Sequence, residues 1–383
     1  MTEYNLEQLR DKIDDIDTQI TDLFKQRMET ALEVAKYKKE NGVPVLNNAR
    51  EKEVLYKVSE QIGEPLDGYS RLLFNTLFDA SRSYQNNYLA KRSNLTERIS
   101  ASLEATPTLF PKKAIVACQG VAGSYSTAAT EKLFEVPNIM YFNSFEGVFN
   151  AVEKGLCQYG ILPIENSSYG SVGSVYDLMQ NYNFHIVKSI RLRINHNLMA
   201  KPGTKLEDIK EIFSHEQALG QCGDFLKSLK DVKVTVCENT AVAAKMVADS
   251  DRNDIAAISS MECLSLYGLE LVKKHIQITD NNYTRFICIS KKMEIYPGSN
   301  KISLILSLPH RPQSLYHMIA KFAALGVNLT KLESRPIPGS DFEFMFYFDL
   351  DTSIYSEEYL QLMCELDDLC EEFKYLGSYT EVV

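Results

Sequence analysis

The sequence predicts a multidomain molecule in three parts: an all-α N-terminal domain, a two-lobed α/β domain, and a C-terminal βαββαβ domain of the ferredoxin-like plan. Three observations predict it. Residues 5–40 carry apolar residues at alternating spacings of three and four, the pattern of a long amphipathic helix. From residue 113 strand-like and helix-like stretches alternate, as in α/β sheets. Residues 301–380 read strand, helix, strand, strand, helix, strand, with the helices at 312–325 and 356–373. The expected bounds are 1–90 for the helical domain, 91–112 for a linker, 113–295 for the α/β domain and 300–383 for the last.

Composition narrows the function. With 383 residues, 45% hydrophobic and 24% charged, the chain has the make-up of a soluble globular protein. A net charge of −10 argues against a nucleic-acid partner, which calls for a basic surface. The eight cysteines (118, 157, 222, 237, 263, 288, 364 and 370) include no C-x-x-C pair, and the six histidines have no metal-ligand spacing. They read as reduced cysteines of a cytoplasmic protein without a metal. No apolar stretch approaches the ~20 residues that span a bilayer, and the start M-T-E-Y-N-L-E-Q-L-R is not a secretion signal.

The first helix is seamed by Leu6, Leu9, Ile13, Ile16, Ile20, Leu23, Ala31 and Val34, and Gly42-Val43-Pro44 stops it. Further helices fit 48–62 and 68–88, and 89–112 reads as a helix tail and linker. A helix of ~35 residues is ~50 Å long. Two shorter helices cannot cover such a seam, so a homodimer with the long helices packed together, or a tetramer built from it, is expected. Arg27 and Lys38 fall where the seam calls for apolar groups, and eleven steps of about 100° bring them within roughly 20° of one face. One such residue reads best as a side chain snorkelling to water; two on one line point to an anionic ligand. Arg10 lies 17 residues from Arg27, roughly 25 Å along the helix. One small ligand cannot bridge that distance, but an antiparallel partner helix can bring its Arg10 to this Arg27.

In the α/β region, P-I-E-N-S-S-Y-G-S-V at 163–172 follows the strand-like Tyr159–Leu162 and precedes the helix-like Val175–Gln180. Glu165 and Asn166 then sit at a strand's carboxyl end, where ligands bind in open α/β sheets. Ser167, Ser168, Gly170, Ser171 and Gly173 offer hydroxyls and open N–H groups suited to anions. Two more islands accompany this run: G-V-A-G-S-Y-S at 120–126, after the strand-like Ala114–Cys118, and N-Y-T-R-F at 282–286, before the strand-like Phe286–Ser290. A fourth, S-H-E-Q-A-L-G-Q-C, occupies 214–222. Stretches near 194–200 and 275–284 read as crossings between lobes, giving 113–193 plus 277–295 as the first lobe and 194–276 as the second. Despite the negative net charge of the whole chain, a dianionic ligand can be held by a few inward-facing Arg and Lys residues.

In order and spacing these four motifs resemble the prephenate dehydratase family. Residues 1–90 resemble the helical chorismate mutase family, and 301–383 resemble an ACT domain, the layout of the bifunctional chorismate mutase–prephenate dehydratase P-proteins. The resemblance implies an intertwined helical dimer, dehydratase lobes like those of periplasmic binding proteins, and conversion of chorismate to prephenate and then phenylpyruvate. It implies no cofactor. In the mutase site it gives the carboxylates to Arg27 and the partner's Arg10, a carboxylate and the ether oxygen to Lys38, the ether oxygen to Gln85 and the ring hydroxyl to Glu51. Ser81 and Arg50 complete that pocket, and Asn47 stands where the family often has Asp. In the dehydratase site it makes Thr284 catalytic; an unaided hydroxyl is far too weak an acid at neutral pH, so Arg285, Glu165 or ordered water should assist it. Asn166, Ser167, Ser214 and Gln221 bind or orient substrate, and Ser124 and Ser126 line the cleft. His215 as an acid weighs no more than His215 as a satisfied hydrogen-bonding residue. E-S-R-P at 333–336 and Gln313-Ser314-Leu315 resemble the phenylalanine-binding motifs of dehydratase ACT domains, implying feedback inhibition through Ser314, Leu315, Glu333 and Ser334, with Gln313 in place of the usual Gly. An arogenate dehydratase, or an amino-acid sensor without catalysis, are the alternatives. An NAD-dependent dehydrogenase partner is disfavoured, because no G-x-G-x-x-G follows a strand.

Overall fold

The computed structural model describes residues 5–45, 47–89, 94–310, 312–337, 339, 343–356, 359, 362, 363, 366 and 372–383. They belong to two compact units, one within Met1–Glu97, Pro309–Val327 and Ser356–Cys370, the other within Arg98–Leu308, Asn328–Tyr355 and Glu371–Val383.

The first unit is helical: α1 (Leu6–Asn41), α2 (Asn48–Ile62) and α3 (Asp67–Leu89), joined later in the chain by α12 (Ser314–Ala324). Asn5 and Gln8 cap α1 reciprocally, each side chain accepting from the other's backbone N–H. Gly42 closes the helix at φ 66°, its N–H returning to the Lys38 carbonyl. Leu6, Ile13, Ile16, Ile20 and Leu23 of the seam are each more than half exposed. Gln313, at the start of α12, holds φ 74°, the left-handed region that favours glycine. Its side-chain oxygen accepts from Asn75 at 3.1 Å, and His317 bonds Asp79 at 2.6 Å.

One sequence expectation is corrected here. Residues 94–105, expected as linker, form α4 (Asn94–Ala105), with Leu95 and Ile99 buried; the polar composition hid two apolar anchors four residues apart, on one helical face. In the C-terminal segment a helix follows the first strand as expected, α12, which groups with the helical unit while the strands group with the other. Most of the helix expected at 356–373, with Cys364 and Cys370, lies outside the described residues.

The second unit contains three sheets. The first comprises β1 (Lys113–Gln119), β2 (Val136–Phe142), β3 (Tyr159–Asn166), the short β4 (Gly170–Ser171), β5 (His185–Arg193), β11 (Tyr283–Ser290) and β16 (Glu381–Val382), in the order β16-β5-β11-β3-β1-β2 with β4 on β3. Helices α5 (Tyr125–Leu133), α6 (Phe145–Glu153) and α7 (Gly173–Asn181) connect them. Their apolar residues form two buried clusters, one around Phe149, Tyr176 and Leu162, the other around Phe134, Ile161 and Phe286. The second sheet holds β6 (Asn197–Ala200), β7 (Glu211–His215), β8 (Lys233–Cys237), β9 (Ile255–Ser259) and β10 (Glu270–Lys273), in the order β10-β6-β9-β7-β8. With it go α8 (Glu216–Gln221), α9 (Gly223–Ser228), α10 (Thr240–Asp249) and α11 (Glu262–Tyr267). The chain passes from the first sheet to the second after β5 and returns into β11, which pairs antiparallel between β5 and β3.

The third sheet is antiparallel, β12 (Lys301–Ser307), β13 (Asn328–Pro336), β14 (Phe344–Asp351) and β15 (Glu372–Tyr379), in the order β13-β14-β12-β15. It docks on the first sheet. At Gly377 a Cβ would lie 2.2 Å from the Ile186 carbonyl oxygen, so only glycine permits that approach. Beyond β15 the chain joins the first sheet as β16, parallel to β5.

Candidate active sites

In the helical unit, the sequence-selected residues of α1 meet those of α3. Arg27, half-buried, donates to the Leu77 carbonyl at 3.0 Å and to the buried Ser81 hydroxyl. Lys38 donates to the Val45 carbonyl at 2.6 Å. Burial lowers the pKa of both cations, and the neighbouring Glu51 works against that shift. Gln85 is buried, its side-chain oxygen unpaired among the described residues. Two cations, one carboxylate, a hydroxyl and an amide therefore share one neighbourhood. Arg50 is not among them: it lies on the surface and pairs with Glu53 at 2.8 Å, because it faces the outer side of α2. Asn47 caps α2, accepting from the Arg50 N–H, and Arg10 is exposed on α1. Sequence reasoning missed Arg82, which joins Glu51 to Asp79. Its position beside Ser81 on α3 is the signal that could have found it.

In the second unit a cavity of about 310 Å³ opens between the two lobes. Ser124, Ser126, Asn166 and Thr284 line it from the first lobe, and His215, Gln221, Asn239 and Thr240 from the second. The loop 120–126 is held at the lobe boundary: a Cβ on Gly123, whose φ is 83°, would lie 2.9 Å from the Cys263 sulfur. The Ser260 hydroxyl donates to the Gly123 carbonyl at 3.1 Å.

Hydrogen bonds fix proton directions in this cleft. Asn166 Oδ1 accepts from the backbone N–H groups of Ser168 (3.0 Å) and Tyr169 (3.1 Å), which settles its amide orientation. Its Nδ2 then donates to Thr284 Oγ1 and Asn282 Oδ1, both at 2.9 Å. Asn282 donates to Gln221 Oε1 at 2.7 Å, and His196 Nε2 meets the same oxygen at 2.6 Å. Thr284 is thus an acceptor toward Asn166 and keeps its own proton to donate. His196 must carry its hydrogen on Nε2, leaving Nδ1 a buried lone pair without a partner among the described residues. Burial lowers the His196 pKa, opposed by its bond to Gln221, and burial likewise lowers that of His215.

Three helix starts face this space, through the N-cap residues Ser124 of α5, His215 of α8 and Asn239 of α10. No Lys or Arg lines the cleft among the described residues. The donors around it are N–H groups, amides and hydroxyls, backed by helix dipoles.

Other expectations are corrected as well. Arg285 and Glu165 face away from Thr284 and Asn166 and line a second cavity of about 310 Å³ beside the C-terminal sheet. Successive strand residues point to opposite faces, so a cleft-facing Thr284 sends Arg285 the other way. Ser167 also lines that second cavity and ties its loop to β11, donating to the Asn281 carbonyl at 3.0 Å and accepting from the Tyr283 N–H at 2.9 Å. Ser214 is buried, its hydroxyl spent on the Ile258 carbonyl at 2.7 Å. Of the residues expected to bind phenylalanine, whose role is untouched by these corrections, Ser314 and Leu315 open α12 and Glu333 and Ser334 lie on β13; Glu333 accepts from the Ser171 hydroxyl at 2.6 Å. Sequence reasoning missed His196 and Asn239. The stretch I-N-H-N at 194–197 was read as a crossing between lobes, although a polar pair in an apolar run is itself a signal.

Comparison with known proteins gives concordant matches. The prephenate dehydratase family pattern matches residues 116–294, and the chorismate mutase type II pattern matches residues 9–86. A bifunctional chorismate mutase/prephenate dehydratase of Escherichia coli is 30% identical over 381 residues, covering 97% of this chain and 95% of the relative. An arogenate dehydratase/prephenate dehydratase 2 of Arabidopsis thaliana is 37% identical over 276 residues, 69% of this chain and 72% of the relative. Among solved structures, the prephenate dehydratase of Arthrobacter aurescens in complex with L-Phe is 26% identical with a TM-score of 0.64, covering 70% of this chain and 89% of that one.

Proposed function

The chain belongs to the bifunctional chorismate mutase/prephenate dehydratase family, and on that premise we propose that it rearranges chorismate to prephenate in the helical unit and converts prephenate to phenylpyruvate in the cleft. The observation that carries the reading is the locked pair Asn166–Thr284, which leaves one oriented hydroxyl proton in a pocket faced by helix starts.

The mutase step is an intramolecular Claisen rearrangement and needs no nucleophile. Catalysis comes from holding the compact conformer and stabilising charge as the ether bond breaks. Arg27 and Lys38 supply the positive charge, Gln85 an amide donor to the ether oxygen, and Glu51 an acceptor for the ring hydroxyl. The exposed seam of α1 supports a dimer in which a second copy covers it and contributes its Arg10 to this site.

In the dehydratase step the bond between the ring and its carboxylate breaks, releasing carbon dioxide. Its electron pair enters the ring and expels the ring hydroxyl as hydroxide. Thr284 donates its hydrogen bond to that departing oxygen. The N–H that Asn166 gives to Thr284 Oγ1 stabilises developing negative charge there and makes the hydroxyl a better donor. The starts of α5 and α10 hold the carboxylate that remains on the side chain.

The Arabidopsis relative's name favours a second reading for the same cleft, in which arogenate, carrying an amine in place of the ketone, is the substrate. Glu238 on the cleft rim is the carboxylate placed to meet such an amine. Initial rates with prephenate and arogenate in parallel decide between them. The proposal expects phenylpyruvate from prephenate to form faster; faster phenylalanine formation from arogenate, lost in Glu238→Gln, would reverse it. Feedback by phenylalanine is supported by the resemblance of the C-terminal motifs and by the L-Phe complex of the Arthrobacter relative.

A further inference from the structure

Arg285 follows Thr284 in the chain yet contributes nothing to the cleft. It is 9% exposed and reaches into the C-terminal sheet. Its guanidinium bonds Asp349 on β14 at 2.5 Å and the Tyr379 hydroxyl on β15 at 2.7 Å, with Glu381 of β16 at 3.2 Å. Asp349 is held in turn by the Ser303 hydroxyl of β12 at 2.5 Å, and Ser303 accepts from Tyr347 at 2.9 Å. Two further ion pairs flank the contact: Lys331 with Glu165 at 2.9 Å and Arg191 with Glu381 at 2.7 Å.

Two features separate this cluster from an ordinary clamp. The β3–β11 ladder shifts register between Arg285 and Phe286, immediately after Thr284. The extra residue, Ile164, lies on β3, while β11 stays in register with β5 from Tyr283 to Cys288, so alternation aims Thr284 at the cleft and puts the Arg285 cluster on the opposite face of the same strand. The space behind the bulge is the second cavity, lined by Glu165, Arg191, Lys301, Thr330 and Glu381. An apolar cluster of Ile287, Ile164, Ile305 and Tyr347 packs the two sheets together, and at Arg285 ion pairs add a directional contact to it. Buried ion pairs contribute little stability compared with apolar residues of similar volume, so this cluster's main effect is on geometry.

We propose that Arg285 is a positioning residue for the dehydratase step. Gripped by Asp349 and Tyr379, it fixes this end of β11 from the face opposite the cleft and thereby the aim of Thr284, which makes the C-terminal sheet part of the dehydratase machinery. The inference rests on the assignment of Thr284 to the dehydratase step, which the rates of the unmodified chain and of Thr284→Val test separately.

The test is a double-mutant cycle on dehydratase kcat in the full-length chain, at a temperature where circular dichroism shows each variant folded. Asp349→Asn alone is expected to lower kcat ~10–100-fold, the size of effect that misplacing a reacting group by about 1 Å produces. KM for prephenate and the mutase rate should stay within about twofold. In the Thr284→Val background, where no hydroxyl is left to aim, Asp349→Asn should change the residual rate by less than about twofold. An equal loss in both backgrounds would overturn the proposal, because Asp349 would then act independently of Thr284. So would an unchanged kcat in Asp349→Asn. The paired replacement Arg285→Met/Asp349→Leu gives a separate check: it should keep the thermal midpoint of the unmodified protein but not its kcat, and full recovery of kcat would reduce the cluster to a clamp.

Discussion

Thr284 has a β-branched side chain in a strand, the most ordinary place for one, and its role depends on one neighbour. Asn166 donates to its oxygen because two backbone N–H groups occupy the other end of the amide. Asn166→Asp reverses that direction: the new carboxylate accepts the threonine proton, which is no longer available to substrate. We expect kcat to fall ~10²–10⁴-fold, as on loss of a positioned donor, with the mutase rate unchanged. A dehydratase rate within threefold of the unmodified chain would show that the direction of this bond is immaterial. Thr284, Asn166 and Gln221 were legible from four short motifs in order. Arg285, Glu165 and Ser214 were placed in the cleft as well, and wrongly, for a definite reason. Alternation along a strand separates neighbouring residues into two faces but does not say which face meets which partner. The partner of Arg285 is Asp349, 64 residues away in another sheet, and no local pattern encodes that meeting.

At the scale of elements, α1 was readable almost to its ends, because its seam, cap and glycine stop all act locally. The same seam, exposed over Leu6 to Leu23, makes the shared mutase site testable. Arg10→Ala and Arg27→Ala should each be inactive as mutases. Mixed equally under subunit exchange, they should recover about a quarter of the unmodified activity, since half the dimers are hybrids with one intact site of two. No recovery despite exchange demonstrated by mass spectrometry would contradict a site shared between copies. Strand β5 makes a different prediction through His185, whose buried Nδ1 has no hydrogen-bond partner among the described residues. Burial, reinforced by the charges of Arg98 and Lys374, lowers its pKa to about 4. The unfolded chain takes up this proton near pH ~6.5, and the folded chain resists it until pH approaches 4. Stability is therefore full above ~6.5 and falls as pH drops toward 4, by ~3 kcal/mol at most. His185→Phe should flatten the thermal midpoint between pH 6.5 and 4.5, and an unchanged slope would assign the acid sensitivity elsewhere.

For the whole molecule, the sequence made the order of helical, two-lobed and ferredoxin-like parts visible, because each has its own periodicity. It did not reveal that α12 joins the helical unit while β16 joins the first sheet. Those assignments depend on contacts between segments far apart in the chain. The central claim is that one chain carries out two consecutive reactions at two separately built sites. The most direct test supplies chorismate to the purified chain and to Arg27→Ala and Thr284→Val, and follows chorismate, prephenate and phenylpyruvate together by chromatography. The unmodified chain should yield phenylpyruvate. Thr284→Val should accumulate prephenate, and Arg27→Ala should leave chorismate untouched while still converting added prephenate. Loss of both reactions in either variant, with its fold intact, or no phenylpyruvate from the unmodified chain, would contradict the account.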